Sequence, residues 1–119
     1  MKKTLVLGAS VNEYRVSNSA VRQLLDTGNE VVAIGNRPGA IAGVPLRQDH
    51  PVLEDIHTVT LYLNPSRQPE YYDYILSLRP RRLIFNPGTE NPELMRLARE
   101  QGIEVERACT LVMLSLGVY

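Results

Sequence analysis

The feature that most constrains this sequence is a regular alternation between short apolar runs and longer segments with helical spacing. Runs rich in β-branched and aliphatic residues occur at 4–7, 30–34, 58–63 and 82–85. Continuous apolar runs of this length are typical of strands that are buried on both faces. Helical segments between such strands require parallel pairing and right-handed crossovers. The alternation therefore predicts a parallel sheet covered by helices on both sides.

The segments between the runs have the apolar spacing and stop signals of helices. We predict a helix from Val16 to Leu25, a second from Pro69 to Leu78, a third starting at Pro92, a short C-terminal helix from Cys109 to Leu116, and a fifth strand from Ile103 to Val105. The expected fold is α/β and doubly wound, with an about five-stranded parallel sheet in a three-layer α/β/α sandwich. The glycine- and proline-containing stretch 35–56 is expected to be irregular, with one helical turn at 52–55.

The composition narrows the classes of function. A length of 119 residues with 44% hydrophobic content suits one domain, 1–119. Thirteen basic and thirteen acidic side chains balance, so no overall positive field favours nucleic acid or a membrane surface. Cys109, His50 and His57 lack the spacing of a metal site. The apolar run before Gly8 is too short for a signal peptide, so a cytoplasmic location is expected.

The segment after the first strand has the features of a phosphate-binding loop. In an open parallel sheet, ligands bind beyond the carboxyl ends of the strands, where the strand order reverses. Gly8 allows a tight turn there, Ser10 offers a hydroxyl, and Arg15 adds charge before the free amides at the helix start. The alternative is that Gly8 only turns the chain and that Ser17 or Asn18 is an ordinary N-cap.

The same loop argues against a usual NAD site. Ser10 and Glu13 occupy positions where the G-x-G-x-x-G fingerprint requires glycine. The second strand ends in Gly35-Asn36-Arg37-Pro38, without the acid that binds the ribose hydroxyls in NAD enzymes. Arg37 suits an additional phosphate instead, as found in NADP or coenzyme A, and a solvent-exposed arginine without a ligand is equally compatible.

Two further loops follow strands. The third strand leads into Asn64-Pro65-Ser66, and the fourth leads into the segment 86–91, Asn-Pro-Gly-Thr-Glu-Asn. The second loop could close over a ligand. Alternatively, Thr89 or Asn91 caps the helix that starts at Pro92, with Glu90 near the positive end of its dipole.

Together these motifs resemble a known family. The pattern GAS-x-x-x-x-R-x-S at 8–17, the Asn-x-Pro element after the second strand, G-V-P at 43–45, N-P-G-T-E-N, and a cysteine after a G-I-E-V strand are similar to small stand-alone CoA-binding domain proteins. These proteins are related to the CoA-binding domain of the succinyl-CoA synthetase α subunit. The resemblance covers essentially the whole chain.

The resemblance implies a Rossmann-like domain that binds coenzyme A or an acyl-CoA across the strand tips. It places residues of four loops at the ligand: Gly8, Ala9, Ser10, Val11 and Arg15 at the phosphates, Asn36, Arg37 and Pro38 beside the nucleotide, Asn64 and Pro65 along the adenine or pantetheine side, and Gly88, Thr89 and Glu90 at the far edge. In the synthetase the ligase chemistry lies in a further domain, so the resemblance implies binding rather than turnover.

The sequence contains no evident catalytic constellation. Ser10 has no histidine in its loop, and Glu13 and Glu90 are the only acids at two different strand tips. We therefore favour a non-catalytic carrier, sensor or regulatory module of acyl-CoA metabolism. The alternatives are an NADP- or other nucleotide-dependent enzyme and an interaction domain that has lost its ligand.

Two smaller features suggest further hypotheses. Cys109 at a helix start could form a mixed disulfide with the CoA thiol, although a small buried cysteine is the simpler interpretation. Tyr71, Tyr72 and Tyr74 could mark a homodimer or partner surface, although one face of the second crossover helix with exposed rings is the simpler interpretation.

Overall fold

The chain forms seven strands and four α-helices. The computed structural model describes every residue from Met1 to Tyr119. The strands are β1 (Thr4–Leu7), β2 (Val31–Ile34), β3 (Ala40–Ile41), β4 (Val44–Arg47), β5 (Thr58–Leu61), β6 (Arg82–Phe85) and β7 (Glu104–Arg107). The helices are α1 (Val16–Asp26), α2 (Tyr72–Ser77), α3 (Pro92–Glu100) and α4 (Thr110–Ser115). Two short 3₁₀ turns, Pro65–Arg67 and Pro69–Tyr71, connect β5 to α2.

All seven strands belong to one sheet with the order β3-β4-β2-β1-β5-β6-β7. Every neighbouring pair is parallel except β3 and β4. The chain moves from β1 to β2 in one direction and later returns to β5 on the other side of β1. The strand order therefore reverses between β1 and β5, which opens a crevice at their carboxyl ends.

The sheet lies between two helical layers, each with its own apolar core. Successive side chains of a strand point to opposite faces, so Leu5 and Leu7 of β1 pack on one side while Val6 packs on the other. Leu94 and Met95 of α3 join the first core. Val21 and Leu24 of α1 and Leu114 of α4 join the second core. The predicted three-layer, doubly wound α/β fold is thus confirmed.

The sheet is larger than the predicted five strands because the segment 35–56 contributes two of its own. Ala40 and Ile41 pair with Pro45 and Val44 in a hairpin, and Leu46 and Arg47 extend the parallel sheet beside β2. The prediction of a helical turn at 52–55 is wrong, since these residues form no regular structure.

The predicted helices occur with shifted ends. The segment predicted as a helix from Pro69 begins with a 3₁₀ turn, and α2 proper starts at Tyr72. The interpretation of Ser17 or Asn18 as the N-cap of α1 is also wrong: Arg15 holds that position and both residues lie buried within the first turn. Of the two candidates for α3, Asn91 is the cap, since its side-chain oxygen accepts a hydrogen bond from the Leu94 amide at 3.3 Å.

Candidate functional site

An open cavity of about 650 Å³ lies at the crevice where the strand order reverses. Its lining comes from two sides. We call the residues 8–10, 14–17 and 34–36 the β1–β2 rim, and the residues 62–64, 67, 71 and 87–89 the β5–β6 rim. Most of these residues directly follow a strand, because the carboxyl ends of parallel strands meet at the same edge of the sheet.

The loop after β1 turns away from the sheet at Gly8, whose φ is +98°. The amides of Gly8 and Ala9 both donate hydrogen bonds to the carbonyl oxygen of Ile34, at 2.9 Å each. These two amides, expected to face a phosphate, are therefore already paired within the protein. Ser10 lines the cavity, and its hydroxyl oxygen accepts a hydrogen bond from the Asn12 amide at 3.1 Å.

The start of α1 supplies the unpaired donors of the β1–β2 rim. No side chain caps this helix, and its first turn contains no acidic residue. The backbone amides of Ser10, Val16 and Ser17 donate no hydrogen bond within the protein. All three residues line the cavity together with Arg15, whose exposed side chain makes no ion pair or hydrogen bond. Free first-turn amides beside a guanidinium are well suited to an anion.

The tip of β2 closes this side of the cavity. Gly35 and Asn36 line it, and a side chain at Gly35 would collide with the carbonyl oxygen of Ala9. The neighbouring residues Arg37 and Pro38 are exposed and lie outside the lining.

The β5–β6 rim is built from loops that are hydrogen-bonded internally. The Asn64 side-chain oxygen accepts hydrogen bonds from the amide and the hydroxyl of Ser66, both at 3.0 Å. Thr89 is buried, and its hydroxyl donates to the Asn86 carbonyl at 2.8 Å. The carboxylate of Glu90 accepts from the Gly88 amide at 2.9 Å, so this acid points to its own loop rather than to the cavity.

The predicted site residues thus divide into two sets. The cavity brings together Gly8, Ala9, Ser10, Arg15, Asn36, Asn64, Gly88 and Thr89, whereas Val11, Arg37, Pro38, Pro65 and Glu90 lie outside its lining. The lining also contains ten residues that were not predicted from the sequence: Tyr14, Val16, Ser17, Ile34, Gly35, Tyr62, Leu63, Arg67, Tyr71 and Pro87. Gly35 and Tyr62 sit directly at strand ends, so the rule that selected the other tips also identifies them.

Arg67 is the most informative of the missed residues. Its guanidinium group lies 3.6 Å from the Glu70 carboxylate, and both side chains are about half exposed. Such an exposed pair is weak, so the guanidinium remains available to another anion. The lining contains Arg15 and Arg67 but no aspartate, glutamate, histidine, cysteine or lysine. In a chain with balanced charges, the cavity is therefore locally positive.

Neither the histidines nor the cysteine lines this cavity, although His50 packs against Tyr71 of its lining. The His50 ring packs against the rings of Tyr71 and Tyr74, with centroids 4.8 Å apart in both cases. The pKa of His57 is lowered because burial and the nearby Arg82 charge disfavour the imidazolium. Cys109 is partly buried and does not line the cavity.

The structure contains neither a cluster of metal-binding side chains nor a membrane-spanning helix. No three His, Cys, Asp or Glu side chains are grouped so as to hold a metal ion. None of the four helices combines the length and the apolar character needed to cross a membrane.

Solved structures of other proteins share this fold. A protein described only as uncharacterized is 48% identical to this chain and superimposes with a TM-score of 0.98. The alignment covers 100% of this chain and 98% of the other protein. A hypothetical protein from Pyrococcus horikoshii OT3 is 23% identical and gives a TM-score of 0.85, with coverage of 93% of this chain and 80% of that one. A protein from Thermus thermophilus is 22% identical and gives a TM-score of 0.87, with coverage of 99% of this chain and 90% of that one.

Sequence comparison gives the family. No curated protein matches the sequence. The family model described as a CoA binding domain matches residues 2–115, nearly the whole chain, as the motifs at 8–17 and 86–91 predicted. This chain therefore belongs to the CoA-binding domain family.

Proposed function

We propose that the cavity between β1 and β5 binds coenzyme A or an acyl-CoA. The observation that carries this proposal is a lining with two arginines and no carboxylate, at the place where ligands bind in doubly wound sheets. Membership of the CoA-binding domain family supports the same ligand class.

The diphosphate of the ligand is assigned to the β1–β2 rim. The unpaired amides of Ser10, Val16 and Ser17 supply hydrogen-bond donors, and the adjacent guanidinium of Arg15 supplies charge. Hydrogen bonds from backbone amides and arginine to phosphate are charge-assisted and therefore among the stronger ones in proteins.

The ribose 3′-phosphate of CoA is assigned to Arg37. This exposed residue directly follows Asn36, which lines the cavity. In doubly wound nucleotide-binding domains the end of the second strand lies beside the ribose, and an arginine there accommodates an additional phosphate. NADP carries a phosphate on the neighbouring ribose hydroxyl, so it is the proper competitor in a binding test.

Binding without turnover is favoured by the chemistry of the lining. General acid–base catalysis needs a group whose pKa lies near neutrality, and the cavity contains no histidine, carboxylate, thiol or amine. A binding site of this kind suits a carrier, a sensor or a regulatory module of acyl-CoA metabolism.

Isothermal titration of the protein with CoA, dephospho-CoA, NADP and NAD tests the proposal. We expect CoA to bind best. We also expect Arg15→Gln to weaken CoA binding by about tenfold or more, because it removes a charged donor to phosphate. Arg99→Gln is the matched control, since Arg99 is exposed on α3 and makes no ion pair. Arg37→Ala should narrow the difference in affinity between CoA and dephospho-CoA, because it removes the group assigned to the 3′-phosphate.

Other results would contradict specific parts of the proposal. Absence of binding by every nucleotide at millimolar concentration would overturn the ligand assignment, and the chain would then be tested as an interaction domain. Tighter binding of NADP than of CoA would favour the enzyme alternative. Release of free acid from an acyl-CoA incubated with the protein would contradict binding without turnover.

A further inference from the structure

Gln68 joins the two loops of the β5–β6 rim although it does not line the cavity. It lies between the two 3₁₀ turns and has 0% exposure to solvent. Its side-chain nitrogen donates one hydrogen bond to the Leu63 carbonyl at 3.0 Å and another to the Thr89 carbonyl at 2.8 Å. Leu63 and Thr89 both line the cavity, and they follow different strands.

The acceptor end of the same side chain is also held. The Gln68 side-chain oxygen accepts a hydrogen bond from the side-chain nitrogen of Asn91 at 2.9 Å. That nitrogen also donates to the hydroxyl oxygen of Tyr72 at 2.8 Å, while the Asn91 oxygen caps α3. Three hydrogen bonds therefore fix the orientation of the Gln68 amide and connect the loops after β5 and β6 to the start of α3. The bond from Asn91 to Tyr72 extends this network to the start of α2.

No other amide-bearing side chain reaches both loop carbonyls. The Asn86 amide ties the tip of β6 to the end of β5, since its nitrogen donates to the Thr60 hydroxyl oxygen at 2.7 Å and to the Leu61 carbonyl at 2.9 Å. Further out, the loops are stabilised within themselves by Asn64 and Thr89. Gln68 is the side chain that joins the two loops beyond the strand ends, at Leu63 and Thr89. Buried amides with all their partners make such structures rigid, because unmaking one bond leaves a polar group unsatisfied.

We propose that Gln68 is a positioning residue for ligand binding, which holds the β5–β6 rim at the separation needed for the part of CoA beyond the diphosphate. This inference rests on the proposed function. The nucleotide end is assigned to the β1–β2 rim by the position of the ribose beside the second strand. The pantetheine end then extends toward the rim that Gln68 supports.

The test compares two ligands on matched variants. CoA is titrated alongside adenosine 3′,5′-bisphosphate, which carries the nucleotide end without pantetheine. Gln68→Glu keeps the size of the side chain but replaces the amide donor with an oxygen that faces two carbonyls. Gln101→Glu is the control, because Gln101 is exposed at the end of α3 and its side chain makes no hydrogen bond.

We expect Gln68→Glu to raise the Kd of CoA by about tenfold or more and to leave the Kd of adenosine 3′,5′-bisphosphate nearly unchanged. A purely structural role would lower the thermal stability without moving the ratio of the two constants. An unchanged ratio, or an equal loss for both ligands, would therefore overturn the positioning role.

A second variant covers the case in which Gln68→Glu does not fold. Asn91→Ser removes the amide that holds Gln68 but keeps an oxygen that can cap α3. It should raise the ratio of the CoA Kd to the adenosine 3′,5′-bisphosphate Kd by a smaller factor, and an unchanged ratio would overturn the inference.

The same titrations separate the failure of the two proposals. If the unmodified protein binds neither ligand, the proposed function itself fails. If it binds CoA and the ratio stays constant in the variants, only the role of Gln68 fails.

Discussion

Single residues determine how closely the loops at the strand tips approach one another. A Cβ atom at Gly8 would lie 2.9 Å from the Tyr62 carbonyl carbon and 3.0 Å from the Leu63 nitrogen. These atoms belong to the backbone of the opposite rim, so they cannot move aside as a flexible side chain would. The absence of a side chain at Gly8 therefore keeps the two rims of the cavity in register.

The change Gly8→Ala should destabilise the protein and weaken CoA binding. The methyl group meets the backbone of Tyr62 and Leu63, directly after β5, and alanine is also strained at a φ of +98°. We expect a loss of about 2–4 kcal/mol in the free energy of unfolding, measured by urea denaturation. Gly28→Ala is the control, because Gly28 has a similar φ of +86° but nothing within 4 Å of the added atom. Equal losses in both variants would show that the close approach at Gly8 has no energetic effect.

At the scale of elements, the hairpin of β3 and β4 is the main feature that the sequence did not predict. Its turn is formed by Ala42 and Gly43, with φ values of 48° and 86°. Two consecutive residues with positive φ match the turn that best suits a two-residue hairpin, which usually contains Asn-Gly. Alanine at the first position carries strain that asparagine would not.

The substitution Ala42→Asn should therefore raise the stability of the protein. Asparagine tolerates the left-handed conformation that Ala42 adopts, so we expect a gain of about 0.5–1 kcal/mol in the free energy of unfolding. The shift in urea midpoint measures it. Ala42→Val is the opposite control and should lower the midpoint, because β-branched residues are strongly disfavoured at positive φ. A higher midpoint for valine than for asparagine would contradict the assigned strain.

The elements that were predicted correctly have a common physical reason. β1, β5 and β6 are buried along their whole length, so their sequences are continuous apolar or β-branched runs that are easily recognised. β3 has only two residues, and β4 contains Pro45, which removes a backbone donor. Pro45 is tolerated because the register between β4 and β2 begins at Leu46, so that ladder does not need the amide that Pro45 lacks.

The same reasoning explains which site residues could be predicted. The rule that ligands bind at strand tips identified Gly8, Ser10, Asn36 and Asn64 without any knowledge of the packing. Arg67 and the buried Gln68 come later in the connection to α2, where the 3₁₀ turns fold the chain back over the crevice. Local sequence patterns do not encode that path, so the roles of Arg67 and Gln68 could be recognised only in the structure.

At high pH, the stability of the whole molecule depends on two partly buried tyrosines, Tyr62 and Tyr74. Burial raises the pKa of Tyr62 to about 12, and burial together with the Asp49 charge raises the pKa of Tyr74 to about 12. The Tyr62 hydroxyl is buried and forms no hydrogen bond. An ionised phenolate would therefore be poorly accommodated in the folded protein.

We expect the free energy of unfolding to fall as the pH rises from about 10 to about 12. In this window the unfolded chain releases the tyrosine protons, whose ordinary pKa is 10.0, while the folded protein retains them. The slope contributed by Tyr62 should reach about 1 kcal/mol per pH unit near pH 11, where the folded and unfolded states differ by about 0.8 of a proton. Urea denaturation of Tyr62→Phe should show a shallower slope and no loss of stability at neutral pH. A slope equal to that of the unmodified protein would contradict the role of Tyr62.

The two edges of the sheet limit how this molecule can assemble. At one edge, β7 carries Glu104, Glu106 and Arg107 in the sequence Glu-Val-Glu-Arg. At the other edge, β3 is only two residues long. Charged residues and short length both discourage a further strand from pairing with an open edge. We therefore expect copies of this protein to resist pairing edge to edge, so that any self-association would use the helical faces instead of a continuous intermolecular sheet.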